Sequence, residues 1–373
     1  MITRFLEQTL VSNLFKNKVI LLLGARQTGK TTLLRKIALA YNDVLWLNGD
    51  EYDIQERFKK ATSTQLKSLI GNAKIVIIDE AQRIENIGLS LKIIHDTYPE
   101  IQLIATGSSS FELKNKTNEP LTGRKLEYQL FPISFAEMAN YQSELIEIRQ
   151  LSTRLVFGYY PEIVMHEGNE IELLKSLSDS FLFKDVLMLE SIKKPEKLVK
   201  LLQALAFQLG SEVSYNEIGG LVGLDSKTVE NYINLLEKSF VVFKQNAFNR
   251  NLRNELKMAK KIYFFDNGIR NALISNFQIV EGRQDIGALF ENLLVSERMK
   301  YNHYNRNYVN TYFWRTKEQQ EIDYIEDQNG QIAAFEFKWN AHRKVKFSKT
   351  FLNAYPDAST NIITNQDFAS FLM

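Results

Sequence analysis

The protein has 373 residues, of which 45% are hydrophobic and 24% charged, with 46 Lys and Arg against 44 Asp and Glu. A chain of this length exceeds one ordinary core and predicts two or three soluble globular domains. The near balance of charge names no polyanionic partner in bulk, the lack of cysteine excludes disulfides and thiolate metal centres, and no apolar run approaches the roughly 20 residues that span a bilayer.

At the amino terminus, no long apolar core follows the early charges of Met1 to Glu7, so a cytoplasmic protein with no membrane role is expected. The first strongly apolar run, Val19 to Leu23, reads as a buried strand. It is followed by Gly24-Ala25-Arg26-Gln27-Thr28-Gly29-Lys30-Thr31 and then, from Thr32, by a helical pattern. This is a complete phosphate-binding loop between a strand and a helix, and it predicts binding of a nucleoside triphosphate, ATP, through residues 24–32. Its glycines let successive N–H groups face one anion. Lys30 is expected at the β- and γ-phosphates, and the Thr31 hydroxyl on Mg²⁺. A coincidental Gly-rich turn is the alternative.

Three further runs, Val44 to Leu47, Ile75 to Ile78 and Ile101 to Ala105, alternate with polar or helical segments, the pattern of a buried parallel sheet. The third of the four strands ends in Asp79-Glu80, beside the phosphate loop. Asp79 is expected to hold Mg²⁺ through water, and Glu80 to orient or deprotonate the attacking water. The fourth ends in Thr106-Gly107-Ser108-Ser109-Ser110, where Ser108 is a candidate γ-phosphate sensor or part of an ordinary serine-rich turn. Arg124, in Leu121-Thr122-Gly123-Arg124, is either a transition-state arginine, acting in cis or on a neighbouring subunit, or a plain surface arginine.

These motifs, with Phe131-Pro132-Ile133-Ser134-Phe135, Gly158-Tyr159-Tyr160-Pro161-Glu162 and Lys261 to Gly268, resemble those of prokaryotic AAA-type ATPases whose C-terminal part is a separate domain of uncharacterised function. The resemblance covers nearly the whole chain. It implies an ATP-binding, slowly hydrolysing protein, and its later motifs identify no task.

From about Glu196 the sequence turns helical, with Leu198, Leu201, Leu202, Leu205 and Ala206 at helix spacing. Tyr215 to Leu221 and Ser226 to Phe240, joined by Gly223-Leu224-Asp225, predict a helix-turn-helix capped by Asp225 or Ser226. Val241 to Phe243 and Ile262 to Phe265 then read as strands of a wing. If this module binds DNA, Ser226, Lys227, Asn231 and Asn234 meet the major groove. The loop 249–261, with Arg250, Arg253, Lys257, Lys260 and Lys261 against Glu255, meets phosphates. A winged helix that only joins domains is the alternative.

Leu289 to Leu294 opens an amphipathic helix carrying Glu291. Tyr312 to Arg315, Glu321 to Ile325 and Ala333 to Trp339 read as strands, the last two around the turn Gln328-Asn329-Gly330. Period-two alternation puts Glu336 and Lys338 on one face. A helix Glu, a strand Asp and Glu-x-Lys resemble the restriction-endonuclease-like core. That resemblance implies Mg²⁺ on Asp323 and Glu336, Lys338 at the attacking water, and Glu291 completing the acidic site. Acids and lysine that simply pair within an inactive fold are the alternative.

The expected fold class is α/β: a P-loop NTPase parallel sheet (1–140), a helical connector (141–194), a winged helix-turn-helix (195–275) and a small PD-(D/E)XK-like α/β domain (276–373). The expected activity is Mg²⁺-dependent ATP hydrolysis coupled to nucleic-acid binding or processing. The alternative is a nucleotide-controlled switch for a protein partner; a homo-oligomer is compatible with either.

Overall fold

The computed structural model describes residues 1–108, 113, 116–181, 192, 194–249, 260–341 and 346–373, with the side chain of Phe181 excepted. They form two compact units, Met1–Pro132 with Lys238–Phe240, and Ile133–Glu237 with Val241–Met373.

The first unit is built on five parallel strands: β1 (Val19–Leu23), β2 (Val44–Asn48), β3 (Ile75–Asp79), β4 (Gln102–Gly107) and β5 (Lys125–Gln129), in the order β2-β3-β4-β1-β5. Every residue of β1, β3 and β4 is buried, which is why they read as continuous apolar runs rather than alternating ones. Edge strand β5 is half-exposed and mixes charge with apolar residues, so no apolar run announces it. The helix Lys30–Ala38 follows β1 and turns Leu33, Leu34 and Ile37 into the core. Because all strands run the same way, β1, β3 and β4 deliver Gly24, Glu80 and Ser108 to one edge of the sheet.

The second unit holds a seven-stranded mixed sheet. Its strands are β6 (Glu212–Val213), β7 (Val242–Ala247), β8 (Lys260–Phe264), β9 (Asn310–Arg315), β10 (Glu321–Gln328), β11 (Gln331–Lys338) and β12 (Ser359–Thr364), in the order β12-β11-β10-β9-β7-β8-β6. The helices Tyr215–Val222 and Ser226–Lys238 precede β7, and β7 pairs with β8 in antiparallel fashion. Asp225 makes the cap: its carboxylate accepts from Thr228 N at 2.9 Å and Thr228 Oγ1 at 2.6 Å, which holds it below the usual carboxylate range. β7 also pairs in parallel with β9, through Asn246↔Tyr312 and Ala247↔Phe313, so one sheet runs from residue 212 to 364. Asn329 and Gly330, both at positive φ, close the β10/β11 hairpin between paired Gln328 and Gln331, the turn expected of Asn-Gly. One core cluster joins Phe248, Trp314, Ile322, Ile325, Ala334, Phe351 and Tyr355.

Two sequence motifs without an evident task meet inside this unit. The Asp266 carboxylate accepts from Tyr159 N at 2.6 Å and Ile269 N at 3.2 Å, and a Cβ on Gly158 would stand 2.1 Å from its Oδ1. Asn271 donates to the carbonyls of Leu155 and Val156. The two segments interlock backbone to side chain, a buried clamp that satisfies polar groups.

Candidate functional site

The phosphate loop takes its shape from two residues at positive φ, Gln27 at 58° and Gly29 at 92°. Gly24 is required for another reason, since a Cβ there would lie 2.2 Å from the carbonyl oxygen of Leu130. Thr28 is buried and donates from Oγ1 to Ala25 O at 2.9 Å. Ala25 is buried, Arg26 half-buried, and Gln27 and Thr32 exposed. Lys30 is 5% exposed, with Nζ 2.8 Å from both Gly24 O and Ala25 O. The ammonium thus lies against the loop's own carbonyls.

Across the strand tips, Thr31 Oγ1 donates to Asp79 Oδ2 at 2.8 Å. Thr106, whose hydroxyl donates to Asp79 Oδ1 and accepts from Glu80 N at 3.0 Å, pins both acids to β4. Glu80 itself is at φ 50°, a left-handed kink that breaks the strand after Asp79. Gln82 Nε2 donates to Glu80 Oε2 at 2.5 Å and to Ser108 Oγ at 3.2 Å. The structure therefore brings Lys30, Thr31, Asp79, Glu80 and Ser108 to one edge. The sequence reading assigns no role to Thr106 or Gln82, although Thr106 begins the segment that carries Ser108 and Gln82 lies two residues after Glu80.

Arg124 is not among them. It immediately precedes β5, its carbonyl accepts from Val19 N at the start of β1, and its side chain pairs with Asp96 at 2.7 Å. That is the opposite edge of the sheet from the loop, about a strand's length of roughly 17 Å away, so Arg124 does not serve this site in cis.

The nuclease-type residues also converge, in the second unit. Asp323 lies at a β-bulge, where Asp323 and Tyr324 of β10 oppose only Phe313 of β9. Its carboxylate accepts from Phe337 N at 2.7 Å and Lys338 Nζ at 3.2 Å, and Lys338 also bonds Glu336 at 2.7 Å. Burial, and then the Asp323 charge, push the Glu336 carboxyl up to about 7. Lys338 is raised because its two acids outweigh the effect of burial. Glu291 lies on the helix Ile286–Tyr304 and accepts from Tyr263 OH at 2.5 Å and Lys261 Nζ at 2.9 Å. Burial raises its carboxyl, and Asp323 adds to the effect. Among the described residues, no three Asp, Glu or His groups are arranged to hold a metal ion, and each of these acids is paired with a lysine.

Lys261 corrects the expectation of a basic loop ending at residue 261. It is 1% exposed, bonds Glu291 at 2.9 Å and Glu321 at 2.5 Å, and so cannot meet a phosphate backbone from the surface. Arg250, Arg253 and Lys257 lie outside the described residues. Of the proposed groove residues, Lys227 and Asn231 are exposed and Ser226 half-buried, while Asn234 accepts from Lys244 Nζ at 2.6 Å. Among the described residues no helix is long and apolar enough to cross a membrane.

Residues 16–139 match the AAA domain family; 148–279 and 286–370 match two domains of unknown function, DUF8612 and DUF4143. An uncharacterized protein of Methanocaldococcus jannaschii is 24% identical over 95% of this chain and 83% of its own length. One from Haemophilus influenzae is 26% identical over 67% of this chain and 68% of its own. Among solved structures, a Walker-type ATPase of Pyrococcus abyssi superposes with a TM-score of 0.52 at 18% identity, covering 74% of this chain and 96% of that one. The match and the parallel α/β architecture agree on an AAA-type P-loop ATPase domain in the first unit, and they support ATP binding there.

Proposed function

We propose that the first unit hydrolyses ATP to ADP and phosphate with Mg²⁺, and that the cycle governs the binding or processing of nucleic acid by the second. The observation that carries the ATPase reading is the 2.8 Å bond between Thr31 and Asp79 beside the loop. A hydroxyl from the first turn of the helix Lys30–Ala38 and a carboxylate from the end of β3 share one point, as a hard cation with few protein ligands requires. The rest of the site fits a triphosphate: a glycine where a Cβ would collide with backbone, a left-handed turn at the helix start, and a lysine beside it.

ATP supplies the γ-phosphoryl group, and Mg²⁺ neutralises charge on its oxygens. In this reading the N–H groups of residues 24–32 hold the phosphates, and Lys30 leaves the carbonyls of Gly24 and Ala25 for phosphate oxygens. Thr31 and Asp79 would hold the Mg²⁺. Glu80 orients the attacking water and takes its proton, while Ser108 senses the γ-phosphate. Lys30→Ala should abolish binding of ATP in calorimetric titration; unchanged affinity overturns the assignment.

For the second unit, a winged helix followed by a PD-(D/E)XK-like core remains the reading that accounts for Asp323, Glu336 and Lys338 on adjoining strands with Glu291 nearby. Mg²⁺ would be held by Asp323 and Glu336 once Lys338 moves aside. Plasmid cleavage with Mg²⁺ or Mn²⁺ that disappears in Asp323→Ala is the expected result, and cleavage that persists rules the site out. The pairing of each acid with a lysine favours a second reading, in which this cluster is structural and nucleotide controls a protein-binding surface. No cleavage by the unaltered chain under either metal supports that one.

A further inference from the structure

Arg4 stands just ahead of the helix Phe5–Ser12, and neither motif nor composition marks it. It is nevertheless 7% exposed, and a buried guanidinium must be satisfied by acceptors. Its Nη1 donates to the carbonyl of Thr28 and its Nη2 to the carbonyl of Phe131, each at 2.7 Å. A Cβ on Gly29 would lie 3.7 Å from Nη1, so the guanidinium backs directly onto the left-handed turn of the phosphate loop.

The consequence follows from peptide planarity. The Thr28 carbonyl and the Gly29 N–H belong to one rigid unit and point in opposite directions. Holding the carbonyl toward Arg4 therefore holds the Gly29 N–H pointing away from it. The second arm does related work. Phe131 follows Leu130, whose N–H donates to Leu23 O at 2.7 Å and whose carbonyl confines Gly24. One side chain thus ties the turn of the loop to the segment that fixes its first glycine. Charge-assisted bonds from a planar fork define direction better than a flexible ammonium could.

We propose that Arg4 is a positioning residue for the nucleotide's phosphates: it holds the loop in its anion-binding shape from behind, without touching the nucleotide. The inference rests on the ATP-binding reading and deepens it. It predicts a loss specific to the phosphate groups.

The test uses the full chain, with a non-hydrolysable ATP analogue and Mg²⁺ as one probe and adenosine as a competitor probe. Arg4→Ala should bind the analogue about ten- to a hundredfold more weakly, as expected for two charge-assisted bonds partly replaced by water. Adenosine affinity should be unchanged, Arg4→Lys should be intermediate, and methylguanidinium should restore part of the loss in Arg4→Ala. Glu7→Gln, on the short helix that follows Arg4, breaks the 2.7 Å ion pair with Lys36 of the helix Lys30–Ala38; it should leave both affinities alone and so controls for loosened helix docking. Equal analogue affinity in Arg4→Ala and the unaltered chain overturns the proposal, as does an equal loss for analogue and adenosine. If the unaltered chain binds no analogue, the ATP reading falls and this inference with it. If it binds and only the Arg4 variants are indifferent, this inference alone fails.

Discussion

The two acidic centres of this chain are satisfied in opposite ways. In the first unit, Asp79 is held by the hydroxyls of Thr31 and Thr106, and Glu80 by an amide of Gln82. In the second, Asp323 and Glu336 share Lys338, while Lys261 stands against Glu291 and Glu321. Neutral donors leave a carboxylate its charge and give way to a cation; an ammonium cancels that charge. The first centre therefore has no ion pair among these contacts, whereas the second is internally balanced and must break ion pairs before it can bind a cation. Neighbouring carboxylates and lysines in sequence do not distinguish these cases. The distinction lies in which donors the fold delivers.

The contrast can be broken by experiment. If Glu80 handles the attacking water, Glu80→Gln should lower turnover by roughly 10²- to 10⁴-fold with nucleotide affinity retained, as steady-state rates and titration would show. Turnover within threefold of the unaltered chain would strip Glu80 of that role. Next in size, Lys261→Met should strand two partly buried acids and destabilise the second unit by about 3–5 kcal/mol in chemical denaturation. A loss below about 1 kcal/mol would mean the pair is solvated, as for surface pairs. Thr106→Val should cost about 1–3 kcal/mol, since Asp79 and the Glu80 N–H both lose a buried partner. The same substitution at Thr316, which is half-buried, should cost less; equal effects would deny Thr106 its bridging role.

A further effect concerns protons. The folded chain keeps a proton on Glu336 up to about pH 7 that an unfolded chain releases near its ordinary 4.5. This group's contribution to stability is thus greatest below pH 4.5 and is lost as pH rises to about 7. Carboxyl NMR should find a midpoint near 7, lowered in Asp323→Asn, because a like charge is removed while burial remains. An unmoved midpoint would leave burial as the sole cause.

The first site was largely legible because its parts are local. A strand, a glycine loop, a lysine and a hydroxyl occupy consecutive positions, and Asp79-Glu80 marks the end of a buried run. The Asn-Gly hairpin was legible for the same reason. What escaped depends on distance along the chain. Arg4 reaches residues 24 and 127 positions away. Strand β5 has the mixed composition of an edge. Lys261 counts toward a basic loop in any local tally, yet it becomes buried because its strand pairs between β7 and β6. Burial of a charge is a tertiary property, and charge spacing alone does not report it. Of the alternatives left open for Arg124, the cis role depends on distance in the same way: its position at the entry to β5 commits it to the far edge.

The pairing of β7 with β9 has a practical bearing on how the C-terminal part can be handled. Phe248 N reaches Phe313 O at 2.6 Å and the Gln245 side chain reaches Tyr312 O at 2.8 Å, so residues before 249 cover one flank of β9. A gene fragment starting near residue 276 would carry β9 with that flank stripped bare, a raw border of unfilled amide and carbonyl groups that invites self-association. Recombinant pieces that begin upstream of β6 keep the border sealed.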